Sequence, residues 1–421
     1  MISAILLILV VYYLYKYFYK TVVVLAIWWQ VLENVVIGEY PFTWFIAFFI
    51  FIFFIYKVEI NELQWKLHPF KTPLTLLLIC YLISGFMGQA KIRPFFDLMS
   101  TFAIPIVSFY AICRIRKIWI FLFKNILLWA SLVIAVGLIE LYLGFNPVIP
   151  LLQSLGISNY TAEQSEDYIR FGMYRCQSLM VWCSTYGVTC GFTAILLLLL
   201  YYYKRLSNKV VIYTLVGLLF FGMFTSGTRS VYLAVAIALM SYLLQVAFKF
   251  KYLVISLIVC TCVYYVFADF FDQVFLSFVD TRSVGGSSTE LRENQLDVAL
   301  NIFEKRPILG HGYGACSGFT QKSLGLLGAE SFLFWVLIDR GLIGLIATFY
   351  LLFRVLKYVY RKTNVWICLF PLGLMIGKFI SLFPHIEETY YFFPLYIIIR
   401  AYTEYHSREY HSCKLDKSSI K

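Results

Sequence analysis

A chain of 421 residues in which 61% of side chains are hydrophobic and only 14% charged, with a mean hydropathy of +0.78, is not a soluble domain, where about half the residues are apolar and roughly a quarter charged. The composition is that of an integral membrane protein. The formal charge of +12 does not call for a nucleic-acid partner, because lysine and arginine gathered in short cytoplasmic connections give the same sum.

In chain order, apolar runs at 2–15, 22–37, 42–57, 72–89, 95–113 and 118–144 lead to a polar stretch, 145–178. Runs at 179–203, 210–225, 229–247 and 252–268 lead to a second, 269–328. Those at 329–353, 363–382 and 387–403 complete the series. Each is long enough, or nearly so, to cross about 30 Å of hydrocarbon as a helix. The expectation is an all-α polytopic membrane protein of about 12–14 transmembrane helices, a single membrane domain over 1–421 with a large outer loop of short helices. Residues 2–15 lack a basic n-region and a small-residue cleavage site, so they read as a retained first span.

Charge sets the orientation. The connections at 16–20, 57–71, 114–117, 204–209, 248–251 and 354–362 and the stretch after 403, with Lys124 and Arg400, hold 23 of the 35 basic residues. Placing them in the cytoplasm puts both long polar loops, 145–178 and 269–328, outside.

Ten cysteines are scattered without a CxxC, and Cys176, Cys183 and Cys190, spaced by seven, share a helix face as small apolar residues. Cys176 and Cys316 fall in the two outer loops, which leaves a disulfide between them open. No HxxxH, HExxH or DxD occurs, so neither a metal nor a cofactor is expected, and a cytosolic sugar-nucleotide transferase is disfavoured.

A charge near the bilayer centre costs roughly 2.5–3.5 kcal/mol, so ionisable residues at membrane depth usually face a cavity or a partner. In this topology Glu33, Glu140, Arg229, Glu330 and Lys378 sit near the outer ends of their runs, Arg170 and Arg175 precede the seventh, and Arg282, Arg292 and Arg306 lie in the large loop. Any one of them reads equally as an interfacial, snorkelling charge; together they point to the outer face. Guanidinium forks without a metal suit a pyrophosphate. A partly desolvated carboxylate such as Glu330 can take a proton near neutral pH.

Three stretches carry a resemblance. "FTSGTRSVYLAVAIALMSYLL" (224–244) has a small polar turn, T/S-x-S/T-R, leading into a helix. "ELRENQLDVALNIFEKRPILGHGYG" (290–314) ends in P-h-h-G-x-G-x-G, where h is hydrophobic, and "AESFLFWVLIDRGLIGL" (329–345) contains G-h-h-G. In this order they resemble bacterial O-antigen polymerases and O-antigen ligases. The resemblance implies a metal-independent glycosyltransferase of the bacterial cytoplasmic (inner) membrane, acting at its outer face. Its substrates would be undecaprenyl-pyrophosphate-linked oligosaccharide repeats, its product an O-antigen or capsule polymer, and a chain-length regulator is a candidate partner.

Carried onto this chain, the resemblance implies that Arg229 and Arg292 contact the pyrophosphate. Glu330 stands where the ligases present a histidine; "ESFL" has none, which points to the polymerase branch over a ligase that transfers polymer to lipid A core. A flippase for the same lipid would show two comparable halves. Arg170 and Arg175 read as binding or structural residues, His311 as a substitute base or a turn residue bonded to backbone, and Tyr313 as a ring to stack on sugar. Asp339 and Arg340 read as a local ion pair, with 329–338 a short piece and the crossing starting near Gly341.

Overall fold

In hydrocarbon every backbone amide must be satisfied within the chain, which leaves helices as the means of crossing. The computed structural model describes residues 2–57, 68–88, 93–158, 169–170, 173–204, 208–246, 289–324, 331–381 and 389–418. The run expected at 252–268 and Glu330 lie outside the described residues.

The first two expected runs are one helix, α1 (Ile2–Leu32), broken only at Tyr17 (φ −132°, ψ 46°). No glycine or proline interrupts residues 2–32, and Lys16 lies along the rings of Tyr12 and Tyr17, so its charge needs no connection. A two-strand hairpin, β1 (Val36–Ile37) with β2 (Tyr40–Pro41), turns at Gly38 (φ 63°) into α2 (Phe42–Lys57). There follow α3 (Lys71–Met87), α4 (Arg93–Arg114), α5 (Ile118–Leu143) and the short α6 (Val148–Ser154). A second hairpin pairs β3 (Ile169–Arg170) with β4 (Met173–Tyr174). Beyond it lie α7 (Cys183–Lys204), α8 (Lys209–Thr225), α9 (Arg229–Val246), α10 (Thr289–Phe303), α11 (Ala315–Leu324), α12 (Phe332–Lys362), α13 (Leu369–Ser381) and α14 (Thr389–Ser418).

Among the described residues α1, α4, α5, α7, α9 and α12 are long and apolar enough to cross a membrane, and α2, α3, α8 and 366–380 are shorter apolar helices. Apart from the two short hairpins the described elements are helical, and the protein is an all-α polytopic membrane protein.

α7 is the central helix, 89% buried over its most apolar window, with α8, α9 and α14 packed around it. Its Gly187 and Gly191 form a GxxxG face that lets neighbours approach closely. A Cβ on Gly187 would stand 2.3 Å from Ser226 Oγ, and one on Gly191 2.4 Å from Val235 Cγ2. This face seats the turn between α8 and α9. Gly373 of α13 lies equally close to the backbone of Ala234 and Ala238 in α9. A separate small core of Ala299, Ile302, Cys316 and Ile338 binds α10 and α11 to the first part of α12.

Candidate functional site

The turn ahead of Arg229 is built by strongly polar contacts in an otherwise apolar bundle. Gly227 adopts φ 61°, the left-handed region that glycine enters without strain. Arg175 grips this turn, its Nε donating to Ser226 O (3.1 Å) and its Nη2 to Thr228 Oγ1 (3.1 Å). Cys176 N donates to Thr225 O (2.9 Å). Arg229 opens α9 and is only 8% exposed. Two of the arginines singled out in the sequence thus flank one four-residue turn.

The segment that carries Arg175 is pinned from three sides. Glu140, fully buried near the end of α5, accepts the backbone N–H groups of Gln177 (3.1 Å) and Ser178 (2.6 Å). Asn146 Nδ2 donates to Ser178 O (2.8 Å), and Asn34 donates to Leu179 O. A buried carboxylate is tolerated when such donors replace its water. Sequence reading placed Glu140 among the outer polar groups but missed that it holds Arg175 in place. The signal was there: a single carboxylate in a 26-residue apolar helix.

The glycine turn docks into a break in α12. Gly341 has φ 62°, ψ −158° inside that helix, so the helix breaks at the residue where the sequence suggested that a short piece gives way to the crossing part. The freed backbone is taken up by the turn: His311 N donates to Ile338 O (2.8 Å), Gly312 N to Asp339 O (3.1 Å), and Leu342 N to Pro307 O (2.8 Å). Asp339 accepts from Gly314 N (3.0 Å) and Cys316 N (2.8 Å) at the start of α11. Arg340 stacks on Tyr81, its guanidinium carbon 3.4 Å from the ring centre. The ion pair expected of these two neighbours gives way to separate duties: capping for Asp339 and stacking for Arg340.

His311 Nε2 lies 2.8 Å from Ile302 O, and the Tyr313 hydroxyl donates to Asp97, which also accepts from Trp44 Nε1 (2.8 Å). Arg292 lies in the first turn of α10 and Arg170 pairs with Met173 across the β3–β4 hairpin; their side chains fall outside the described residues. The residue after Glu330, Ser331, caps α12 and donates to Phe379 O (2.5 Å) at the end of α13. Cys176 and Cys316 are both free, buried thiols, so the disulfide left open by the sequence is not formed.

Residues 214–349 match the family model described as O-antigen ligase. The matched stretch begins in α8, includes the turn before Arg229, α10 and the glycine turn, and ends beyond the Gly341 break in α12. It bears out the resemblance carried by the motifs at 224–345. No curated protein matches the chain at a significant level.

Proposed function

We propose that the chain is a polysaccharide polymerase, a glycosyltransferase that joins undecaprenyl-pyrophosphate-linked oligosaccharide repeats at the outer face of a bacterial cytoplasmic membrane. The observation that carries this reading is that Arg175 grips the Ser226–Thr228 turn leading directly into Arg229 at the N-terminus of α9, a turn inside the stretch similar to the O-antigen ligase family. The first N–H groups of a helix favour an anion. Guanidinium forks add bidentate, permanently charged donors that suit a diphosphate.

In the proposed step an acceptor sugar's hydroxyl oxygen attacks the anomeric carbon of the lipid-linked chain from the face opposite the leaving group. The bond from that carbon to the pyrophosphate oxygen breaks, and its electron pair leaves with the lipid pyrophosphate. Arg229, Arg175 and Arg292, from the first turn of α10, stabilise the growing charge. The hydroxyl proton passes to a base, assigned here to Glu330, the neighbour of the α12 cap. Arg170, on the hairpin that leads into Arg175, is assigned to glycan or pyrophosphate binding. His311 and Tyr313 are assigned to holding the loop, because their polar groups are engaged by Ile302 and Asp97.

The family's description favours a second reading, transfer of finished polymer to lipid A core, against which stands Glu330 in the place of the ligases' histidine. Purified protein in nanodiscs, given a single lipid-linked repeat as both donor and acceptor, should release polyprenyl pyrophosphate and build a ladder of longer chains. Product formed only when lipid A core is added would establish the ligase instead. Movement of the intact lipid-linked repeat across vesicles without new bonds would establish a flippase.

A further inference from the structure

Between α1, α5, α7 and α14 the bundle buries polar atoms that no group among the described residues satisfies. Gln30 is 2% exposed and Trp129 1%, yet the amide nitrogen and oxygen of Gln30 and the indole nitrogen of Trp129 have no hydrogen-bond partner. Both residues line one cavity of about 40 Å³, whose walls include Thr189 and Thr193 of α7 and Pro394 of α14. Pro394 lies inside its helix and gives no N–H to it, a gap that ordered water commonly fills in membrane helices.

The cavity is deep in the bundle. At 1.5 Å per residue Trp129 stands about 17 Å from the start of α5 and about 21 Å from its end. On α7, Thr189 and Thr193 follow Gly187 and Gly191 by two positions, which is about 200° round a helix of 3.6 residues per turn. The cavity therefore backs the side of α7 opposite the glycine face that seats the turn before Arg229.

Chemistry and size select the occupant. The Gln30 amide needs an acceptor for its N–H groups and a donor for its oxygen, and the Trp129 indole needs an acceptor. An anion would leave the amide oxygen unmet, and a cation would leave the N–H groups unmet. The ligand is thus a neutral molecule that both donates and accepts. One water requires about 10–15 Å³ of such space, so the cavity has room for about two or three. Apolar cavities of this kind stay dry, whereas burying an unmet amide is costly enough to draw water in.

We propose that this cavity is an internal hydration site, in which water held by Gln30 and Trp129 joins α1 and α5 to the rear of α7. The proposal stands whether the enzyme extends a polymer or transfers one.

The test is X-ray radiolytic footprinting of the protein in nanodiscs, read by peptide mass, because radicals formed from bound water oxidise the side chains that touch it even where bulk solvent does not reach. Trp129 should be oxidised several-fold faster than Trp29, which is equally buried and does not line the cavity. In Gln30→Leu, whose thermal midpoint shows that the fold is kept, the Trp129 rate should fall toward that of Trp29. Thr193→Ile supplies a second readout. Filling a dry void raises the thermal midpoint, but displacing water that serves Gln30 lowers it, and adding Gln30→Leu should then restore most of the loss. The proposal is overturned if Trp129 is oxidised no faster than Trp29, if Gln30→Leu leaves its rate unchanged, if Thr193→Ile raises the midpoint, or if Gln30→Leu does not relieve its fall.

Discussion

Arg175 contacts the Ser226–Thr228 turn through two nitrogens set in one plane. A lysine there has a single ammonium on a flexible stem and cannot make both contacts. Arg175→Lys should therefore cut ladder formation by about tenfold or more, since a charge-assisted hydrogen bond contributes about 1.5–3 kcal/mol. Arg229→Ala and Arg292→Ala should abolish the ladder while immunoblots still find the protein in the membrane. Full-length chains from either variant would remove that arginine from the proposed pyrophosphate site. At this scale the sequence reveals the arginines, because a guanidinium in an apolar run is conspicuous wherever it stands. It hides what holds them: Glu140 meets backbone N–H groups 37 and 38 positions onward, and no local spacing encodes a contact that only the packed bundle creates.

Among elements, the glycine turn docks into the break of α12 at Gly341. The repeated glycines of "GHGYG" announce turns, and Gly341 announces a break, yet nothing in either stretch says that one fits the other. A Cβ on Gly341 would stand 2.6 Å from Gly310 N and Ile308 O, both unyielding backbone atoms, at a φ that side chains resist. Gly341→Ala should lower stability by about 1–3 kcal/mol and loosen α11 from α12. Cys316, fully buried in the first turn of α11, reports this directly: maleimide labelling followed by peptide mass should be markedly faster in the variant, and an unchanged rate would refute the docking as a stability element.

A second element contact is sensitive to pH. His68, in the turn before α3, is buried against Phe109 and Tyr396, and burial pushes its pKa down from 6.5 to about 3. The folded protein keeps it neutral while the unfolded chain takes up a proton below about 6.5, so stability is full above that pH and is lost as pH falls toward 3. At pH 5 the loss is about 2 kcal/mol. The wild-type thermal midpoint should fall between pH 7 and pH 5, and His68→Gln should flatten that dependence; equal slopes for the two proteins would exclude His68 as its source.

At the scale of the whole molecule, each face of the bundle is tied together by contacts that the charge pattern did not require. Glu404 accepts from Lys204 Nζ (2.6 Å), Arg400 Nε (2.8 Å) and Trp119 Nε1 (2.9 Å). Those residues come from or adjoin three connections that lysine and arginine counting alone assigned to the cytoplasm. At the opposite ends of the same helices Asn34, Glu140, Asn146, Arg175 and the Ser226–Thr228 turn meet one another. Sorting by charge and sorting by contact agree on which ends belong together; charge alone says which set is outside. The helix α5 separates the two sets: with 26 residues it spans about 39 Å, enough to put exposed Lys117 and exposed Ser154 on opposite sides of the membrane. In intact cells a membrane-impermeant maleimide should label Ser154→Cys at once and Lys117→Cys only after permeabilisation, read by peptide mass so that native cysteines such as exposed Cys113 are counted separately. The reverse pattern would turn the arginine cluster toward the cytoplasm, and a polymerase acting on lipid-linked repeats at the outer leaflet could not then use it.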